Sequence, residues 1–267
     1  MTLIQALLLG ILQGATEFLP VSSSAHLVIF PHLLGWPDPG LAFDMLLHLG
    51  TLVAVVFYFR HDLWQLIVAA WESLRRRKIE TPEARLAWLL VLATLPGALL
   101  GFLFEDQVGE IFGMPRAAAA FLLVTAALLA LAELLSRRAR VLEALTWRDA
   151  LVIGLAQALA IVPGLSRSGA TMATGLLLGY RREDAARFSF LLAVPIVLGG
   201  GVYQLLKLLL NGMAGVGGPA LVGMLTAALT GYAAITGLLA LVRRHALWPF
   251  AAYCALLGLL VLTGILA

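Results

Sequence analysis

Six apolar runs, at about 43–59, 86–104, 117–135, 188–210, 221–242 and 246–267, constrain this chain more than any other feature. Each holds roughly 17–23 residues, the length a helix needs to cross a hydrocarbon core about 30 Å thick. Lipid offers no hydrogen bonds to a backbone, so such runs must be helical. Of 267 residues, 61% are hydrophobic and 12% charged, where a soluble domain carries about 25% charged residues. The composition excludes a soluble globular domain. It predicts an all-α integral membrane protein, with 1–267 as a single membrane domain. The one cysteine, Cys254, lies in an apolar run, which excludes a disulfide framework and a cysteine metal site. Residues 1–12 contain no Lys or Arg, so a signal peptide with a basic start is not expected there.

Two more apolar regions, about 2–34 and 149–179, are broken by Pro20 and by Pro163-Gly164. Each splits into two short helical arms. Arms of roughly 14 residues in the second region reach only about 21 Å, too short to cross. Both regions therefore read as re-entrant helical hairpins with tips near mid-membrane, giving six transmembrane helices plus two hairpins. Irregular backbone at that depth survives where protein buries it or a water-filled cavity faces it.

The basic residues set the orientation. They gather at Arg60, Arg75, Arg76, Arg77, Lys78 and Arg85; at Arg137, Arg138, Arg140 and Arg148; at Arg181, Arg182 and Arg187; and at Arg243 and Arg244. With six spans these clusters share one side, the cytoplasmic one by the positive-inside rule. The opposite loops, about 31–42, 105–116 and 211–220, contain only Arg116. Both termini then lie outside, the first hairpin enters from outside, and the second enters from the cytoplasm. The net charge of +3 belongs to a membrane surface rather than to nucleic acid. Beyond the clusters stand Lys207, near an outer span end, and Arg167, at a hairpin tip. Among the acids, Glu17 is the one placed deep. Charges at that depth cost about 2.5–3.5 kcal/mol or more and mark function.

The chain also repeats. At an offset of 144, Gly10, Gln13, Ser22 and Ser24 match Gly154, Gln157, Ser166 and Ser168. At 145, Phe43, Leu46 and Leu47 match Phe188, Leu191 and Leu192. Each half, about 1–136 and 148–267, holds one hairpin and three spans. An odd number of spans inverts the second half, so an inverted-topology repeat is expected, with the two tips meeting at the midplane.

Ser23 then stands opposite Arg167. Past each break a helix begins, near Ser22 and near Ser166, with unpaired N–H groups and a partial positive charge pointing inward. Two such ends plus Arg167 make an anion site suited to phosphate. Ser22 and Ser166 also read as N-caps, and Ser24 and Ser168 add hydroxyls. Gln13 and Glu17, four apart, share a helix face and could hold Mg²⁺ or Ca²⁺ together with phosphate oxygens and water; Glu17 could instead pair with Arg167. His26, three residues from Ser23, could take the serine proton or simply pack. Thr171 could reach the phosphate or bond back to its own helix. His32, His48, His61 and His245 receive no role.

The runs Gln13-x-x-x-Glu17, Phe18-Leu19-Pro20-Val21-Ser22-Ser23-Ser24-Ala25-His26 and Pro163-Gly164-Leu165-Ser166-Arg167-Ser168-Gly169-Ala170-Thr171 resemble the motifs of the undecaprenyl-diphosphate phosphatase family, also called bacitracin-resistance proteins. The resemblance covers essentially the whole chain. It implies an integral enzyme of the bacterial inner membrane that removes the terminal phosphate of C55 isoprenyl diphosphate and so regenerates the lipid carrier for peptidoglycan synthesis. Many members carry Glu where this chain has Gln13, which leaves one carboxylate rather than two for a divalent cation. On this reading Ser23 attacks the terminal phosphorus, Glu17 or His26 handles its proton, and Arg167, Ser22, Ser24, Ser166, Ser168 and Thr171 hold phosphate, from the outer face. The partners are the polyprenyl diphosphate and membrane lipids, with a homodimer admissible. The alternative is a polyprenyl-phosphate transporter using the same anion site.

Overall fold

A computed structural model describes residues 1–37, 39–104, 114–211 and 217–266. Of the expected outer loops, residues 105–113 and 212–216 fall outside the described residues, as does the Lys207 side chain. The described residues form eleven α-helices and no strand beyond one isolated bridge, Arg140 to Tyr180. In chain order they are α1 (Leu3–Phe18), α2 (Ser23–Leu33), α3 (Leu41–Tyr58), α4 (Arg60–Arg76), α5 (Pro82–Leu103), α6 (Pro115–Leu135), α7 (Trp147–Leu159), α8 (Arg167–Leu177), α9 (Arg182–Asn211), α10 (Gly218–Val242) and α11 (Trp248–Leu262).

Both breaks fall where proline dictates. Pro20 holds Leu19 extended, at φ −67° and ψ 144°, which ends α1. The stretch 160–166, with Pro163-Gly164, separates α7 from α8. The four arms hold 16, 11, 13 and 11 residues, and even the longest is about 24 Å.

Length and apolarity alone support four or five of the expected six spans. On their own, α5, α6, the Arg182–Tyr203 part of α9 and α10 are long and apolar enough to cross a membrane. α3 bends by 81° into α4, and only together do these two make a fifth candidate. The run 246–267 yields the 15-residue α11, about 22 Å long. It starts only at Trp248-Pro249 and is followed by Gly264 at φ +74°. A multi-pass, all-α membrane protein stands.

Residues 60–76 read as a basic loop but are helical. Trp64, Ile67, Trp71 and Leu74, spaced along one face of α4, are exposed, whereas Leu66 and Ser73 are buried. Ser73 Oγ accepts from Trp88 Nε1 at 2.9 Å. An apolar outer stripe ending in Arg75-Arg76-Arg77-Lys78 suits a helix lying along a membrane interface.

Packing follows the register of the repeat. α1 lies against α10, and α7 lies against α5. Gly10 and Gly154, 144 apart, sit at these two crossings. A Cβ on Gly10 would meet Gly223 O at 2.4 Å, and one on Gly154 would meet Ala93 O at 2.4 Å. α6 pairs with α11, and α3 with α9. Phe18, at the end of α1, meets Phe190 of α9 edge to face, with centroids 5.4 Å apart. Such a pair adds about 0.5–1.5 kcal/mol beyond its buried area, and it fixes the helix end that carries Glu17.

Glu17 is not the only buried acid. Glu133, near the end of α6, is equally shielded and accepts from Arg182 Nε at 2.7 Å, Arg138 Nη2 at 2.8 Å and Leu247 N at 2.8 Å. It joins α6, α9 and the start of α11. The base of the second hairpin is tied by Asp149, which accepts from Arg140 at 2.7 Å and from the Tyr180 hydroxyl at 2.8 Å. Burial and the neighbouring Asp149 push the Tyr180 phenol above its ordinary value.

Candidate functional site

The two breaks meet. Glu17, in the last turn of α1, accepts through Oε2 from Ser23 Oγ at 2.5 Å and from Gln13 Nε2 at 2.9 Å. Its other oxygen pairs with Arg167 Nη2 from the second hairpin. One buried carboxylate thus joins a hydroxyl on one tip to a guanidinium on the other. Breaking such a buried pair costs about 3–5 kcal/mol, because it strands a charge. Arg167 Nη1 is buried and has no partner.

Hydroxyls complete the joint. Ser22 caps α2 by accepting from Ala25 N at 3.3 Å, and Ser166 caps α8 by accepting from Gly169 N at 3.0 Å. Ser22 and Ser24 hydroxyls lie 3.2 Å apart, as do those of Ser166 and Ser168. Ser24 Oγ accepts from Gly164 N at 3.4 Å, and Ser168 Oγ donates to Leu19 O at 2.9 Å. Each hairpin therefore holds the other's turn. Thr125 of α6 braces the second turn, donating to Gly164 O at 3.1 Å and accepting from Ser166 N at 3.0 Å.

Between the tips lies a cavity of about 220 Å³. Glu17, Ser22, Ser23, Ser24, Ser166, Arg167 and Ser168 line it, with Leu165, Ile196 and Val197 among its apolar wall. The N-termini of α2 and α8 border it, and Arg167 lines it, so partial and full positive charge gather around the same space. An anion carrying several acceptor oxygens matches that wall.

Three expected site residues do not line the cavity: Gln13, fully buried beside Glu17, His26 and Thr171. His26 is buried away from Ser23: its Nδ1 pairs with Ser22 O at 2.7 Å and its Nε2 with the Tyr253 hydroxyl at 2.6 Å. The ring stacks between Phe30 and Tyr253. Glu17, not His26, is the group that receives the Ser23 hydrogen bond. Thr171 bonds back to Arg167 O at 2.9 Å and pairs with Ser189 Oγ at 2.7 Å, so helix and neighbour occupy its hydroxyl.

His48, given no role above, is brought in. Its Nε2 lies 3.7 Å from Glu17 Oε2, and it lines the cavity from α3. Its Nδ1 donates to Asp44 O at 2.8 Å, which orients the ring. Nothing in the local sequence marks His48, because only the packing of α3 beside α1 creates the neighbourhood. Gln157 also lines the cavity, at the register of Gln13.

For a divalent cation, the fitting observation is Gln13 Oε1, buried and without a partner beside Glu17. Among the described residues no three His, Cys, Asp or Glu side chains gather. A hard cation here would draw on Glu17, Gln13 and the oxygens of a ligand.

The family described as bacitracin resistance protein BacA matches residues 6–260. A Pelobacter propionicus protein named undecaprenyl-diphosphatase is 46% identical over 271 residues, covering 99% of each chain. Its Gemmatimonas aurantiaca namesake is 46% identical over 261 residues, with 98% of this chain and 97% of the relative covered. That of Geobacter sulfurreducens is 45% identical over 269 residues and covers all of both. With the match running from within α1 to within α11 and taking in both breaks, the chain belongs to the bacitracin resistance protein BacA family.

Proposed function

We propose that this chain is an undecaprenyl-diphosphatase, hydrolysing the terminal phosphate of C55 isoprenyl diphosphate. One observation carries the reading. The Ser23 hydroxyl lies 2.5 Å from a carboxylate that Arg167 also holds, at the mouth of two helix N-termini. A nucleophile, its proton acceptor and an anion clamp converge on one cavity, which is what phosphoryl transfer requires of a protein.

Arg167 binds the terminal phosphate through Nη1, and the N-termini of α2 and α8 spread its charge. Ser23 Oγ attacks the terminal phosphorus and gives its proton to Glu17. The bond from phosphorus to the bridging oxygen breaks, and the lipid leaves as its monophosphate. Water then attacks the phosphoserine, returning Ser23 and releasing inorganic phosphate. His26 holds the first turn of α2 in place through Ser22 O. A divalent cation held by Glu17, Gln13 and substrate oxygens supplies charge neutralisation when bound.

Six spans, two re-entrant hairpins and an inverted repeat of about 1–136 and 148–267 accompany this reading. Its supports are arms too short to cross, paired crossings at Gly10 and Gly154, and tips that hold each other. The clustered basic residues place their own side in the cytoplasm of a bacterial inner membrane. The cavity then opens to the exterior.

Purified protein in detergent tests the function, because no membrane is there to cross. With polyprenyl diphosphate, release of inorganic phosphate is expected, stopping with EDTA and returning with Mg²⁺ or Ca²⁺. Folded, metal-replete protein that releases none would leave a polyprenyl-phosphate carrier as the better account. Release that persists in EDTA would remove the cation from the mechanism.

A further inference from the structure

Gln157, on α7, is 3% exposed, and neither its Oε1 nor its Nε2 has a partner. Buried amides are almost always satisfied, so this one calls for a ligand. It lines the same cavity as Glu17, Ser23 and Arg167. The repeat shows why it is left open. Gln13, its register mate, gives Nε2–H to Glu17 four residues on, at 2.9 Å. Four residues after Gln157 stands Ile161, which accepts nothing.

The surroundings of Gln157 are apolar. A Cβ placed on Gly97 of α5 would lie 3.4 Å from both Gln157 Nε2 and Ile196 Cδ1 of α9. The cavity wall thus has a polar part, with Glu17, Ser23, Arg167 and His48, and an apolar part, with Ala160, Ile161 and Ile196, in which Gln157 is the polar group. A molecule that runs from terminal phosphate through a second phosphate to an isoprenoid tail presents the same order of chemistry.

We propose that Gln157 binds the phosphate that stays on the lipid, donating Nε2–H to one of its non-bridging oxygens while the terminal phosphate sits on Ser23 and Arg167. This rests on the diphosphatase reading and adds the contact that separates a diphosphate ester from a lone phosphate. A neutral amide suits the task, because a second guanidinium would hold the monophosphate product more tightly and slow its release.

The test uses Gln157→Leu and Gln157→Glu in detergent, with a short-chain prenyl diphosphate as substrate and prenyl monophosphate and inorganic phosphate as inhibitors. Gln157→Leu should melt no lower than wild type, since it removes a buried amide that the free protein does not satisfy. KM and the inhibition constant of prenyl monophosphate should each rise about tenfold, the worth of one hydrogen bond to a charged group. Inhibition by inorganic phosphate, which reads the Ser23 and Arg167 position, should stay within about twofold. Gln157→Glu should weaken monophosphate binding further by like-charge repulsion. If phosphate inhibition weakens as much as monophosphate inhibition, Gln157 serves the terminal phosphate and the proposal is wrong. Unchanged KM and monophosphate inhibition would overturn it as well. Calorimetric binding of prenyl monophosphate to wild type, Gln157→Leu and Gln157→Glu reads this contact even if wild type proves inactive, an outcome that would sink the diphosphatase reading instead. Equal affinities among the folded proteins overturn the role of Gln157.

Discussion

The first hairpin turns on Ser22 at φ 68°, the second on Gly164 at φ 99°. Both then start an 11-residue helix capped by a serine, and both set a second serine hydroxyl 3.2 Å from the first. Their chemistry diverges at three register positions. Glu17 faces Ile161, Ser23 faces Arg167, and His26 faces Ala170. The braces differ too: the Tyr253 hydroxyl of α11 supports the first tip through His26, and Thr125 of α6 supports the second through its backbone. The shared frame supplies two inward helix ends, and the differences divide the labour. The acid and the hydroxyl sit on one tip and the cation on the other, so the site exists only where the two meet.

The largest break in that division is Ser23→Ala. It removes the hydroxyl from one tip and leaves the clamp on the other. Turnover should fall by roughly 10³-fold or more. The loss of one hydrogen bond should cost the fold only about 1 kcal/mol. Phosphate release beside a thermal melt reads both. Near-normal kcat in folded Ser23→Ala would rule out a covalent route and leave water as the attacking group.

Arg167→Lys strikes the other tip more gently. The charge facing Glu17 stays, so the penalty of stranding a buried carboxylate is avoided. The planar fork is lost, and with it the free Nη1 edge. kcat/KM should fall by about 10²-fold, roughly 2.7 kcal/mol of transition-state binding. Wild-type kinetics would show that Arg167 pairs with Glu17 without gripping phosphate.

Where the chemistry is local, the sequence was legible. Pro20 and Pro163-Gly164 mark both breaks because proline cannot continue a helix and restricts the residue before it. Polar residues crowded beside those breaks mark the tips, because apolar lipid tolerates them nowhere else. The 144-residue offset pairs Ser23 with Arg167, and the structure puts both on Glu17. What could not be read depends on neighbours remote in the chain. His48 sits in an ordinary apolar helix until α3 packs beside α1. His26 looks like a base for Ser23 at a spacing of three, but Tyr253, 227 residues away, takes its second nitrogen. Thr125 has no local signal either. α4 is hidden in the charge pattern, because its apolar positions Trp64, Ile67, Trp71 and Leu74 are interleaved with charged and polar residues. The helix within 246–267 is shorter than its apolar run because hydropathy does not register the start at Trp248-Pro249 or the positive φ of Gly264.

The smallest effect, and the sharpest on the two turns, comes from glycine at the two caps. Ser166 has ordinary dihedrals, φ −64° and ψ 119°, whereas Ser22 is held at φ 68° and ψ 93°. A non-glycine residue there costs about 1–3 kcal/mol of backbone strain. Glycine at an N-cap gives up only a few tenths of a kcal/mol relative to serine. Ser22→Gly should therefore come out neutral or more stable by about 1 kcal/mol, near 2–4 °C in Tm. Ser166→Gly relieves nothing, loses its bond to Gly169 N and frees the unfolded chain, so it should lose about 1 kcal/mol. Activity of Ser22→Gly should stay far above that of Ser23→Ala, because the nucleophile and its acceptor are untouched. Paired thermal melts in one detergent decide it. If both glycines shift Tm in the same direction and by the same amount, the positive φ of Ser22 stores no strain, and the two turns are energetically alike despite their different geometry.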